Sequence, residues 1–328
     1  RSKFGCTAGL TPECRFPAGC GIARRGGPDG LVATLRSFGL GDNCPVGIRP
    51  RFHNGLTGPI PVPIRSEWIE IPPAPGADHQ QPLLCCWWSV PEQELSGGNQ
   101  GLRGAVLVLP EVFGLNGWVR SVADRLAGEG YAALAMPIFE RTAPGLEVGY
   151  DVAGLATGRE HRDAVTAETF LADAQRAISW LKGQQLGQEP VLQIGCVGFC
   201  FGGHLALLAA TLPAVRATCA FYGARVSSFR PGGGAPTLAV LPQIPGHLLC
   251  VCGDQDPLMP LEEQQAIAAA LSADSVARQD QPGPALERRL VVAPGAGHGF
   301  LCEARSDFNA EAASLGWRDM LALFAKAL

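Results

Sequence analysis

The chain alternates short, wholly apolar runs with stretches in which apolar residues recur at helical spacing. Ala105-Val-Leu-Val-Leu109 is apolar at every position, as a strand covered on both faces requires. Residues 131–136, 192–197, 217–222, 247–252 and 289–293 are mostly apolar and predict further strands. Between these runs, Trp118, Val119, Val122, Ala123 and Leu126 share one face of a helix predicted over 117–128. Phe170, Ala174, Ala177, Ile178 and Leu181 line another, and Trp317, Met320, Leu321 and Phe324 line a last one. Two earlier runs, 67–71 and 83–90, flank a Pro/Gly turn and predict a hairpin at a sheet edge. The predicted fold class is therefore α/β: a mostly parallel central sheet with helices on both faces.

Composition divides this picture in two. The first 65 residues are rich in Gly, Pro and Arg, with nine Lys and Arg against three Asp and Glu, and they show no sustained period. Such a stretch predicts an N-terminal extension over 1–65, disordered or loosely packed, ahead of one folded domain over 66–328. Its cysteines, Cys6, Cys14, Cys20 and Cys44, have no metal-like spacing. The net charge of −4 gives no reason to expect nucleic acid or an anionic membrane as a partner. No apolar run reaches the roughly 18 residues of a membrane span, and no signal-peptide core is visible. The twelve cysteines form no Cys-x-x-Cys pair, so neither a zinc knuckle nor a redox motif is expected. Several lie inside apolar runs as small hydrophobes, and the expected setting is a reducing cytoplasm.

Chemistry concentrates at the ends of three predicted strands. Gly198-Phe-Cys-Phe-Gly-Gly203 stands between a strand and a helix and has the form of a nucleophile elbow, with Cys200 as nucleophile. Gly253-Asp-Gln-Asp-Pro-Leu-Met-Pro260 follows the strand over 247–252, and Pro294-Gly-Ala-Gly-His-Gly-Phe300 follows the one over 289–293. The order nucleophile, acid, histidine is that of the α/β-hydrolase fold. A free cysteine has a pKa of about 8.5 and offers little thiolate at neutral pH, so it needs a base, for which His298 is the candidate. A carboxylate must orient that imidazole; Asp256 is the candidate and Asp254 competes with it. The oxyanion requires donors, expected from the backbone N–H of Phe201 and of Val112. His204 reads as structural and His161 as solvated. Gly295-x-Gly-His-Gly299 lacks the spacing and position of a dinucleotide loop.

These motifs resemble the dienelactone hydrolase family. Leu109-Pro-Glu-Val-Phe-Gly-Leu-Asn116, the cysteine elbow, the acid loop and Ala296-Gly-His-Gly-Phe300 each match a segment of that family, with weaker support from Phe221-Tyr-Gly223 and Arg141-Thr-Ala-Pro-Gly145. The similarity begins near Trp68 and selects Asp256 over Asp254. It implies hydrolysis of a lactone or small ester through an acyl-cysteine, with no metal or organic cofactor. It also implies that Glu111 controls protonation of Cys200, which rests as a neutral thiol turned away from His298 until substrate arrives. Family members bind a substrate carboxylate with arginines. The counterparts here are Arg159, Arg162 and Arg305, and Cys302 stands where the family can place another. That departure leaves open whether dienelactone itself is the substrate. The expected partners are a small lactone or ester, without nucleic acid or membrane, in a monomer or small homo-oligomer. A general carboxylesterase or thioesterase on the same scaffold is the alternative, and a non-catalytic binding module is a third reading that an intact triad disfavours.

Overall fold

A computed structural model describes residues 63–74, 76, 81–92, 102–186, 189–190, 193–279 and 285–328. The predicted extension lies, up to residue 62, outside the described residues. The described chain builds an eight-stranded sheet from β1 (Ile64–Ile71), β2 (Leu84–Pro91), β3 (Ala105–Leu109), β4 (Ala132–Ala135), β5 (Ile194–Phe199), β6 (Val215–Phe221), β7 (His247–Gly253) and β8 (Arg288–Ala293). Their spatial order is β1-β2-β4-β3-β5-β6-β7-β8. The β1–β2 hairpin is antiparallel and joins β4 antiparallel, and every other pairing is parallel. The hairpin thus sits at one edge, as its flanking turn predicts.

Alternation along β3 explains how both faces are covered. Val106 and Val108 turn to one side, where they pack with α1 (Gly117–Gly128) and α6 (Ala310–Ala327). Leu107 and Leu109 turn to the other, against α3 (Ala167–Lys182), α4 (Phe201–Ala209) and α5 (Leu261–Ala277). Leu107 is fully buried, and a side chain of its size stabilises the fold by about 2 kcal/mol through removal of apolar surface from water. A further helix, α2 (Val152–Ala164), starts at Asp151, whose carboxylate accepts from the N–H of Gly154 at 2.7 Å. A single carboxylate fastens the hairpin to α1: Asp124 Oδ1 accepts from Ser66 Oγ, Trp87 Nε1 and Ser89 Oγ at 2.7, 2.9 and 2.6 Å.

One expectation changes in detail, and one helix was not foreseen. Trp317 and Leu321 are only half-buried, because α6 sends Met320, Leu323 and Phe324 into the core and uses Trp317 to cover the Arg125 guanidinium 4.0 Å away. Helix α5 has no clear apolar stripe, since its core-facing positions include Glu263, Gln264 and Asp274. Glu263 accepts from the backbone N–H and hydroxyl of Ser227, and Asp274 pairs with Arg278 and Arg288 at 3.0 and 2.9 Å. Partners from distant elements (Ser227 and Arg288) and from the helix's own C-cap (Arg278) make those buried charges tolerable. Among the described residues, no helix is long and apolar enough to cross a membrane.

Candidate active site

The carboxyl ends of β3, β5, β7 and β8 carry Glu111, Cys200, Asp256 and His298, the side of a parallel sheet where functional groups gather. The elbow after β5 is dictated by close backbone contacts. A Cβ on Gly198 would lie 2.0 Å from the Gly202 carbonyl oxygen, and one on Gly202 would lie 2.4 Å from that of Pro110. Only glycine fits either position. The turn leaves Cys200 at φ 54°, ψ −117°, a left-handed conformation that costs a cysteine roughly 1–3 kcal/mol. Its N–H donates to the Phe221 carbonyl at 3.1 Å, and α4 begins at the next residue. The side chain therefore stands at a helix N-terminus, where the field favours an anion.

His298 is buried and donates from Nδ1 to Asp256 Oδ2 at 2.8 Å. The other Asp256 oxygen accepts from the N–H of Leu258 at 2.8 Å, which fixes the carboxylate. Asp254, its competitor, instead accepts from the N–H of Gly295 at 2.7 Å and braces the histidine loop. His298 Nε2 is buried and makes no hydrogen bond of good geometry. Burial pulls the imidazole pKa down, but a thiolate at Cys200 and the Asp256 carboxylate outweigh it and raise His298 to about 10. Cys200 therefore acts on His298 when it carries a charge, and no hydrogen bond of good geometry joins the two in this structure.

Glu111 is wholly buried, and its Oε1 accepts from Arg305 Nη1 at 2.9 Å. Burial raises its pKa from the ordinary carboxylate range, against the opposing pulls of Arg305 and His298. Oε2 makes no hydrogen bond of good geometry. Arg305 also meets Asp307 at 3.3 Å and lies over the rings of Phe113 and Tyr150, 5.6 and 5.9 Å from their centroids. Among the described residues, neither of the other two candidate arginines hydrogen-bonds to this cluster. Arg159 is exposed on α2, and Arg162 gives its Nε to neighbouring Asp163 at 2.8 Å. Val112 is buried beside α2, where its carbonyl excludes any side chain at position 158.

The structure also places several residues to which the sequence reading gave no part in the chemistry. Tyr222, at φ 40°, is fully buried and sets its ring 5.1 Å from that of His298. Its place at the carboxyl end of β6 was the available signal. Tyr150 accepts from Asn116 Nδ2 at 3.0 Å and packs on Phe113, contacts that no motif announces. Cys302 is fully buried, and burial raises its thiol pKa to about 11. Arg141 forms a bidentate pair with Asp173 at 2.9 Å. Among the described residues, no group of three or more His, Cys, Asp or Glu is arranged to hold a metal ion.

A mostly parallel eight-stranded sheet with this strand-end constellation defines an α/β-hydrolase. The sequence model of the dienelactone hydrolase family matches residues 97–328. The chain belongs to that family, which comprises carboxylic ester hydrolases. It is 36% identical over 224 residues to a Synechocystis protein assigned as a carboxymethylenebutenolidase, covering 68% of this chain and 86% of the relative. A Bradyrhizobium protein assigned as a 2-oxo-3-(5-oxofuran-2-ylidene)propanoate lactonase is 29% identical, over 67% of this chain and 83% of its own. In fold, the chain is similar to a Klebsiella pneumoniae crystal structure assigned as a dienelactone hydrolase, with a TM-score of 0.66 and 24% identity, over 80% of this chain and 99% of the other.

Proposed function

We propose that Cys200, His298 and Asp256 form a catalytic triad that opens a lactone or small ester through an acyl-cysteine. The observation that carries this reading is the imidazole held by Asp256 at 2.8 Å through one nitrogen, with the other left unbonded under the influence of the Cys200 sulfur. The Cys200 thiolate attacks the carbonyl carbon, and the carbonyl π pair moves to oxygen. Backbone N–H groups of Phe201 and Val112 receive that oxyanion; as the first residue of α4, Phe201 carries an N–H that the helix itself leaves unpaired. Collapse of the intermediate breaks the carbon–oxygen bond, and the proton that Glu111 took from Cys200, relayed to His298 Nε2, passes to the departing alkoxide. In a lactone the new hydroxyl stays attached to the acyl group. Water then attacks the thioester with His298 as base, and the thiolate leaves.

Glu111 has the role of first proton acceptor. Burial already favours its neutral form, so taking the Cys200 proton relieves a buried charge while creating the nucleophile. Arg305 holds the carboxylate in waiting, and Arg159 and Arg162 have the substrate contacts that the resemblance implies. A lactone fits better than an open ester on the names of the relatives at 36% and 29% identity. Intact mass spectrometry of the enzyme with a slow lactone tests the whole route. Ring opening on Cys200 adds the full mass of the lactone, whereas an open ester leaves only its acyl part. Cys200→Ala should show no adduct; an adduct of unchanged yield in that variant removes Cys200 from the mechanism.

A further inference from the structure

Phe201 and Val112, whose N–H groups stand as oxyanion donors in the reading above, lie on different elements, yet one short turn braces both. At its start Phe139 is buried, with its ring parallel to that of Phe201 at 8° and 6.4 Å between centroids. At its end, residues 146–148 pair with the segment that follows Val112. The N–H of Leu115 donates to the Leu146 carbonyl at 3.3 Å, that of Val148 donates to the Phe113 carbonyl at 3.1 Å, and Gly114 forms an antiparallel bridge with Glu147. A Cβ on Gly114 would fall 1.8 Å from the Leu146 oxygen, so the two segments meet main chain to main chain. Between these ends Thr142, Pro144 and Gly145 are exposed, and the turn buries little of its own to fix its shape. Beneath it lies Glu140, 5% exposed, whose Oε1 accepts from the N–H of Gly145 at 3.1 Å. Burying a carboxylate costs free energy, and this one closes the turn just before the residues that pair with 113–115.

We propose that Glu140 is a positioning residue for acyl transfer: by closing the turn over 139–148 it holds the Phe201 and Val112 donors in register with the oxyanion. The inference rests on the acyl-cysteine reading above and adds what fixes its oxyanion donors. Glu140 acts through the main chain of the turn. Arg141, the next residue, ties the base of the same turn to α3 through Asp173 at 2.9 Å, which leaves Glu140 to govern the far side. Without the Gly145 bond, the pairing of Leu146 and Val148 with Phe113 and Leu115 loosens, and the neighbouring Val112 peptide loosens with it. Donors aimed at developing charge lose effect with small displacements, because their value lies in being oriented before the reaction begins. Burial raises the Glu140 carboxyl to about 7, with the Gly145 N–H opposing and Asp173 assisting. Near neutral pH its uncharged form is therefore well populated, and glutamine reproduces the shape and the acceptor of that form.

The test compares Glu140→Leu, which removes the acceptor, with Glu140→Gln, which keeps it, in the full chain. Two rates are read on each. Turnover of p-nitrophenyl acetate passes through an oxyanion in both acylation and deacylation. Alkylation of Cys200 by iodoacetamide, located by peptide mass, forms none, since the sulfur simply displaces iodide. Glu140→Leu should lower kcat about tenfold, with KM and the alkylation rate within about twofold of wild type. Glu140→Gln should stay within about threefold of wild type in turnover and alkylation alike. Should Glu140→Leu not fold, Glu140→Asp takes its place, one methylene too short for Gly145, with the same split at about threefold in kcat. A wild-type kcat in the variant that lacks the Gly145 bond overturns the proposal. So does a Glu140→Gln loss as deep as that variant's, or a loss that is equal in turnover and alkylation. Full turnover in Cys200→Ala would sink the acyl-cysteine reading itself, whereas a wild-type kcat in Glu140→Leu beside an inactive Cys200→Ala sinks the role of Glu140 alone.

Discussion

Two buried histidines lie on opposite sides of the elbow, and burial acts on both with the same sign. His204, in α4, has Nδ1 2.8 Å from the Ala224 carbonyl and Nε2 2.7 Å from the Thr237 hydroxyl. The first contact makes Nδ1 a donor and the second makes Nε2 an acceptor, so the neutral ring is satisfied at both ends. Burial then lowers its pKa to about 4, with the Ala224 carbonyl opposing and the charges of Arg225 and Arg230 assisting. His298 has a carboxylate on one nitrogen and a sulfur acting on the other, and it rises to about 10 despite burial. The difference is in the partners: neutral ones keep an imidazole inert, and anionic ones make it a proton carrier.

The largest way to break this comparison is to exchange the two rings for uncharged side chains. His298→Ala should reduce kcat/KM by about 10⁴-fold, in the range of triad deletions, while His204→Gln should keep activity within a few-fold of wild type. Hydrolysis of a lactone or p-nitrophenyl ester measures both, and equal losses would erase the distinction.

A second test sharpens it through stability. The folded pKa of His204 is depressed to about 4 from 6.5. Between those values the unfolded chain binds the proton more readily, so the contribution of His204 is complete above pH 6.5 and disappears as pH falls toward 4. The shift corresponds to about 3 kcal/mol. Glu140 works the other way, since burial raises its folded pKa to about 7 from 4.5 and its neutral form is favoured as pH falls. Subtracting His204→Gln from wild type removes that background. Urea unfolding at pH 7 and pH 4.5 should show wild type losing more than the variant, and parallel losses would contradict the buried neutral ring. The smallest effect is Thr237→Val, which leaves His204 Nε2 without its donor and should cost about 1 kcal/mol with activity unchanged.

Most of the sheet was legible because its strands are buried on both faces. The apolar run 105–109 coincides with β3, and 117–128 with α1, since all five residues expected on that helix face are buried. Helix α5 was not legible. Its inward Glu263 and Asp274 break the apolar pattern, and Ser227 and Arg288 that help satisfy them come from elsewhere in the chain. The site divides in the same way. Strand-end position and chain order bring out Cys200, Asp256 and His298, and local contacts separate Asp254 from Asp256. The pairing of Glu111 with Arg305 spans 194 residues and leaves no local trace. For the same reason Arg159 and Arg162 looked as eligible as Arg305 until the fold set them apart.

The elbow stores its geometry in main-chain atoms. Carbonyl oxygens of Gly202 and Pro110 exclude side chains at 198 and 202, and the Phe221 carbonyl holds the N–H of Cys200. None of these contacts reads the side chain at position 200. The turn works as a socket, and the nucleophile is the one component that can be exchanged without rebuilding it. Cysteine and serine differ there by a single atom, so a change of side chain at this position needs one substitution to install, and under the proposed mechanism the groups around the socket, Glu111 among them, decide whether it functions.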